Sequence, residues 1–157
     1  MSPEVTAAPA ALAHRALLDR GERVGCAESL TGGELAARLS STPGASETFT
    51  GAVVSYAAEV KRNLLGVTSE LVVSADCAEQ MATGVRALLD VDWALSTTGV
   101  AGPDQQEGQP VGTVYVGIAG PLGARTVQLA LEGGRSEIRA AACVAAVELL
   151  LAEVSHG

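Results

Sequence analysis

The chain has 157 residues, 48% of them hydrophobic, which suits one domain with a substantial core, and its formal net charge is −8. With that charge and no Lys/Arg cluster to override it, nucleic acid is excluded as the main partner. The cysteines Cys26, Cys77 and Cys143 are odd in number and far apart, and His14 and His156 lie near the termini, so neither a metal site nor a disulfide framework is expected.

Residues 1–9, rich in Ala, Pro, Ser and Thr, read as a flexible tail, and residues 10–157 as one domain. Ala10 to Asp19 carries helical spacing in Leu12, Ala16 and Leu17, with Gly21 as a stop. Glu22 to Ala27 is a short strand candidate. A helix then begins at Thr31 or Gly32, places Leu35, Ala36 and Leu39 on one face, and breaks at Ser41-Thr42-Pro43-Gly44. Phe49 to Tyr56 is strand-like, and Ala58 to Leu65 is helical and closed by Gly66. Ser74 or Asp76 caps a helix running to about Leu89 that buries Ala78, Met81, Ala82, Val85 and Leu88. Asp92 to Thr97 is a buried strand, followed by a Gly/Pro/Gln loop from Gly99 to Pro110. Val111 to Ala119 and Ala124 to Leu131 form a hairpin across Gly120-Pro121-Leu122-Gly123, and Ser136 to Val154 closes the chain as a long helix. This order predicts an α/β fold, a three-layer α/β/α sandwich with a mixed sheet. No signal-peptide pattern and no bilayer-length apolar run are present, so the expected partners exclude membranes and the expected location is cytoplasmic.

Three loops follow strands at the sheet edge where open α/β folds place ligands. In Glu28-Ser29-Leu30-Thr31-Gly32-Gly33, a hydroxyl at a strand-to-helix turn faces free backbone N–H groups that suit an oxyanion or a phosphate; an ordinary helix cap accounts for the same residues equally well. Tyr56 ends a strand and Lys61 comes early in the next helix. A buried lysine could serve as base to a serine, although a solvated lysine and an interfacial tyrosine is the simpler reading of the pair alone. Thr98-Gly99 open a glycine-rich bend that either approaches a ligand or is only a turn. Arg135 and Arg139, one helical turn apart, suit a phosphate or carboxylate, or pair at the surface with Glu132 or Glu137.

Together these segments resemble the CinA C-terminal domain family, whose enzymatic members are nicotinamide-nucleotide amidohydrolases. The resemblance rests on Ala27-Glu28-Ser29-Leu30-Thr31-Gly32-Gly33, Pro43-Gly44-Ala45-Ser46, Gly51 to Lys61 with Leu64-Leu65-Gly66-Val67, Thr98 to Pro103, Pro110 to Tyr115, and Gly134-Arg135 with Arg139. It implies hydrolysis of the carboxamide of nicotinamide mononucleotide to nicotinic acid mononucleotide and ammonia, as in pyridine-nucleotide recycling, without cofactor or metal. It further implies Ser29 as nucleophile, Lys61 as base and Tyr56 as proton relay. Thr31, Gly32, Gly33, Thr98 and Gly99 would line the substrate site, Arg135 or Arg139 would meet the phosphate, and the chain would form a homo-oligomer.

The 104–109 loop departs from the family pattern. It reads Asp104-Gln105-Gln106-Glu107-Gly108-Gln109, without the Gly-Gly and the lysine usual before Pro110. Val72-Val73-Ser74-Ala75-Asp76 also departs from the usual Gly-Ala-Val-Ser form. Two other readings therefore stand beside the first: a nucleotide-binding module without turnover, linked to competence or DNA damage, and an amidase for another nucleotide-like amide.

Overall fold

The computed structural model describes residues 3–155 as an α/β fold around a five-stranded mixed sheet of order β2-β1-β3-β4-β5. The elements run α1 (Pro3–Arg20), β1 (Val24–Glu28), α2 (Glu34–Leu39), β2 (Phe49–Val54), α3 (Ala58–Leu65), α4 (Ala75–Leu89), β3 (Trp93–Gly99), β4 (Thr113–Gly120), β5 (Gly123–Ala130) and α5 (Arg135–Val154). β1 pairs in parallel with β2 and β3, whereas β3–β4 and β4–β5 are antiparallel. Every residue of β1 is buried, as a central strand covered on both faces requires. β5, at the sheet edge, alternates exposed and half-buried positions.

Helices α1, α2 and α5 cover one face and α3 with α4 the other, completing the three layers. Neighbouring strand residues feed opposite cores: Cys26 packs with Leu17, Leu35, Ile138 and Leu150, while Ala27 packs with Leu65, Met81 and Val85. Helix α5 buries Ile138, Ala142, Cys143, Ala146, Val147, Leu150 and Val154, a stripe with helical period. Glu137 folds back to accept from the Gly134 N–H at 3.0 Å and so closes that helix's first turn. All three cysteines are free and buried, and burial pushes the Cys143 thiol well above its ordinary range. No helix among the described residues is long and apolar enough to cross a membrane.

The strand limits shift by one or two residues from the sequence reading, and two helices start at clearly different positions. Helix α1 starts at Pro3 rather than Ala10, so the described part of the expected tail is helical, while Met1 and Ser2 lie outside the described residues. Alanine is the best helix former, and a proline is tolerated at the first helical position, where its missing N–H would have no partner. Helix α2 starts at Glu34, after Thr31 and Gly32, because Gly32 (φ 56°) and Gly33 (φ 108°) adopt left-handed backbone that interrupts the helix. By contrast, α3 spans Ala58–Leu65 with Gly66 as its left-handed cap, and Ser74 caps α4 by accepting from the Cys77 N–H.

Candidate active site

Parallel pairing brings the carboxyl ends of β1, β2 and β3 to one edge of the sheet. Ser29, the first residue beyond β1, donates its N–H to the Thr97 carbonyl of β3 at 3.0 Å. On the other side, the Glu28 carbonyl accepts from Ser55 N at 2.7 Å and from Ser55 Oγ at 3.2 Å. The backbone around Ser29 is therefore held from both neighbouring strands. The Leu30 N–H, next in the chain, has no acceptor among the described residues. It is available to an oxyanion formed beside Ser29.

Lys61 lies in the first turn of α3 and is only 1% exposed. Its Nζ is 2.9 Å from Ser29 Oγ, 2.7 Å from the Ser55 carbonyl and 3.1 Å from the Tyr56 carbonyl. Burial lowers its pKa below the ordinary 10.5, with the Arg62 charge adding to the lowering and Cys77 and Glu107 opposing it. The two carbonyls can only accept, whereas the Ser29 hydroxyl can also donate. A neutral amine at this position gives two N–H bonds to the carbonyls and turns its lone pair toward the Ser29 O–H. That is the arrangement a base needs before it removes a hydroxyl proton.

The pair lies in a cleft of about 460 Å³ whose lining includes Ser29, Tyr56, Lys61, Thr98, Gly99, Arg135 and the 100–106 segment. That volume is in the range of small-molecule sites. Arg135 spans its mouth, donating to the Gly102 carbonyl at 2.6 Å and to the Tyr56 hydroxyl at 2.9 Å. Gly99 owes its identity to packing: a Cβ there would meet the Thr113 carbonyl at 2.6 Å. Thr98 is buried and its hydroxyl donates to the Val72 carbonyl.

Several expected site residues fall elsewhere. Tyr56 reaches Lys61 through its main-chain carbonyl, while its exposed ring turns its hydroxyl to Arg135, away from the expected relay position. The Thr31 side chain is fully buried between Glu28 and Thr97, at 2.6 and 2.8 Å, and does not line the cleft. Gly32, Gly33 and Arg139 are likewise absent from the lining. Arg139 donates to the Thr31 carbonyl at 3.2 Å, and a Cβ on Gly32 would come within 2.9 Å of its guanidinium. These residues shape the turn beneath Ser29 instead of facing the cleft.

The sequence reading passed over Glu28, whose side chain is fully buried. Its Oε1 accepts from Thr31 Oγ1 at 2.6 Å, Gly33 N at 3.1 Å and Leu35 N at 2.9 Å, and its Oε2 from Ala36 N at 2.9 Å. A carboxylate from the strand end thus does the work of the side-chain cap that Gly33 lacks, at the end of α2 where the helix dipole favours negative charge. The available signal was an acidic residue closing an apolar strand just ahead of a capless, glycine-led helix.

The family model described as the CinA C-terminal domain matches residues 6–154. A CinA-like protein from Frankia casuarinae is 48% identical over 139 residues, 85% of this chain and 32% of that protein. A putative competence-damage inducible protein from Oceanobacillus iheyensis is 41% identical over 140 residues, 85% of this chain and 34% of that protein. The chain therefore spans about a third of the length of these curated relatives. Among solved structures, a CinA superfamily protein from Klebsiella pneumoniae superposes with a TM-score of 0.92 at 33% identity, covering 97% of this chain and 99% of the other. A competence/damage inducible protein from Agrobacterium tumefaciens gives 0.84 at 34% identity, covering 92% and 94%.

Proposed function

The chain belongs to the CinA C-terminal domain family, and we propose that it is an amidase that hydrolyses the carboxamide of nicotinamide mononucleotide to nicotinic acid mononucleotide and ammonia. The observation that carries this reading is the 2.9 Å approach of buried Lys61 Nζ to Ser29 Oγ within a ligand-sized cleft.

In the proposed reaction, neutral Lys61 takes the Ser29 hydroxyl proton as Oγ attacks the carboxamide carbon. The oxygen of the tetrahedral intermediate, now negative, receives the free Leu30 N–H. Collapse breaks the C–N bond, and Lys61 returns the proton to the departing nitrogen, which leaves as ammonia. Water then attacks the acyl-serine ester while Lys61 again accepts a proton. The ester C–O bond then breaks, Lys61 returns that proton to Ser29 Oγ, and nicotinic acid departs and ionises to its carboxylate in solvent. Every proton transfer in this scheme uses one amine held by two carbonyls, so the sequence needs no metal. Arg135, already at the mouth, is placed to exchange its Tyr56 hydroxyl bond for the anionic end of the substrate.

The test is ammonia release from nicotinamide mononucleotide by the wild type and by Ser29→Ala. The reading expects turnover in the first and a loss of at least about 10³-fold in the second, with the melting temperature retained. Nucleotide binding seen by calorimetry without ammonia release would favour the non-catalytic module. Turnover that survives the substitution would sink the Ser/Lys mechanism.

A further inference from the structure

The 104–109 loop forms one wall of the cleft, with Asp104, Gln105 and Gln106 in the lining. Its tip is a tight reversal in which Gln106 and Gln109 form a bridge, the Gln109 N–H donating to the Gln106 carbonyl at 2.9 Å. The two residues between them, Glu107 (φ 53°) and Gly108 (φ 73°), both adopt left-handed backbone, as a primed hairpin turn demands. Glycine is at ease there, but glutamate is not among the residues that favour the first of these positions. An unfavourable conformation persists where surrounding contacts hold it.

The Glu107 carboxylate accepts from two consecutive main-chain donors, Val72 N at 3.0 Å and Val73 N at 2.8 Å. Gln109 reinforces the junction by donating its side-chain amide to the Val73 carbonyl, while Tyr115 holds the same side chain from behind at 3.3 Å. Val72 and Val73 line the cleft themselves, beside the loop's own lining residues. The loop and the 72–73 segment are thus two halves of one wall, fastened by the Glu107 carboxylate and the Gln109 amide.

We infer that Glu107 is a positioning residue: its carboxylate fastens the 104–109 loop to the Val72–Val73 main chain and thereby shapes the wall that receives the part of the substrate beyond the carboxamide. Glu107 makes no hydrogen bond to Ser29 or Lys61, and its charge reaches Lys61 only by opposing the lowering of that pKa. At pH above the Lys61 limb, where the amine is neutral with or without it, its effect therefore falls on substrate placement. The kinetic consequence rests on the amidase reading above. The structural consequence does not.

The informative variant is Glu107→Gly, which removes the carboxylate but fits the left-handed backbone, so the fold is retained. Hydrogen exchange should show the Val72 and Val73 amides losing about tenfold or more of their protection while the β1 and β3 amides are unchanged. With nicotinamide mononucleotide, at pH above the Lys61 limb, KM should rise about tenfold with kcat within about twofold of wild type. Glu107→Gln, which keeps one acceptor oxygen, should fall between the two in both assays. Unchanged exchange at Val72 and Val73 would overturn the latch. Faster exchange with an unaltered KM, or a fall in kcat alone, would overturn its part in positioning substrate. If the wild type shows no turnover, the amidase reading fails separately and the exchange result alone decides the latch.

Discussion

Replacing Glu28 by glutamine tests whether the turn that presents Ser29 is held by a buried charge. The substitution keeps the shape of the side chain and leaves its fully buried surroundings otherwise intact. With the amide oxygen at the Oε1 position, the bonds from Thr31, Gly33 and Leu35 survive, but they change from charged to neutral. The amide nitrogen then stands where Oε2 accepted from Ala36 N at 2.9 Å, so two donors face each other. A hydrogen bond to a charged group contributes about 1.5–3 kcal/mol against about 0.5–1.5 for a neutral one, and an orphaned buried donor costs about 1–3 kcal/mol. Relief from burying the carboxylate offsets part of that sum, leaving a loss of about 2–4 kcal/mol. For a chain of this size the melting temperature should fall by about 5–15 °C, as followed by circular dichroism. Ammonia release should fall further than the unfolded fraction explains, because Ser29 rides on the same turn. A melting temperature within about 2 °C of wild type would refute this account of the turn.

Two further predictions follow from the site and its supports. Burial lowers the Lys61 pKa below 10.5, and the proposed base is the neutral amine, so kcat/KM should rise with pH along a limb lying below that value. Between the lowered folded pKa and the ordinary one, the unfolded chain binds the extra proton, so stability also rises with pH over this interval. A rate profile that falls as pH rises through that interval would contradict Lys61 as the base. At Gly84, in α4, an added Cβ would lie 2.0 Å from the Leu65 carbonyl oxygen at the end of α3. Gly84→Ala should therefore destabilise by about 1–3 kcal/mol or more, read as a lower denaturation midpoint at unchanged slope.

The elements readable from the sequence were those whose local signals agree with their tertiary role. Helix α3 has its limits at Ala58 and Gly66, the Gly120-Pro121-Leu122-Gly123 turn joins β4 to β5, and Ser74 caps α4. Helix α1 extends beyond its expected start because the alanines between the prolines favour helix strongly enough to carry it back to Pro3. Around the site, Ser29 and Lys61 lie side by side because each follows a parallel strand, β1 or β2, that ends at the same sheet edge. Thr31 and Tyr56 carry the right functional groups, but their directions depend on partners distant in the chain, Thr97 and Arg135, which no local pattern encodes. The role of Glu28 is hidden from local pattern for the same reason. Its four donors come from a turn whose shape exists only once Gly32 and Gly33 have taken left-handed conformations.

The reversal of chain direction at β4 has a consequence for how this scaffold can change over time. Because β4 runs antiparallel to β3, the connection between them leaves and re-enters the sheet at the cleft end, without a crossover helix to constrain its length. Residues can be gained or lost there while the strand register and both cores stay as they are, and each doubling of such a loop costs only about 0.6 kcal/mol in closure entropy. The hydrogen bonds that hold Lys61 beside Ser29, at the edge of the parallel half of the sheet, take no partner from that loop. On the amidase reading, substrate preference can drift through insertions and deletions in this one segment while Ser29 and Lys61 keep their hydrogen bond.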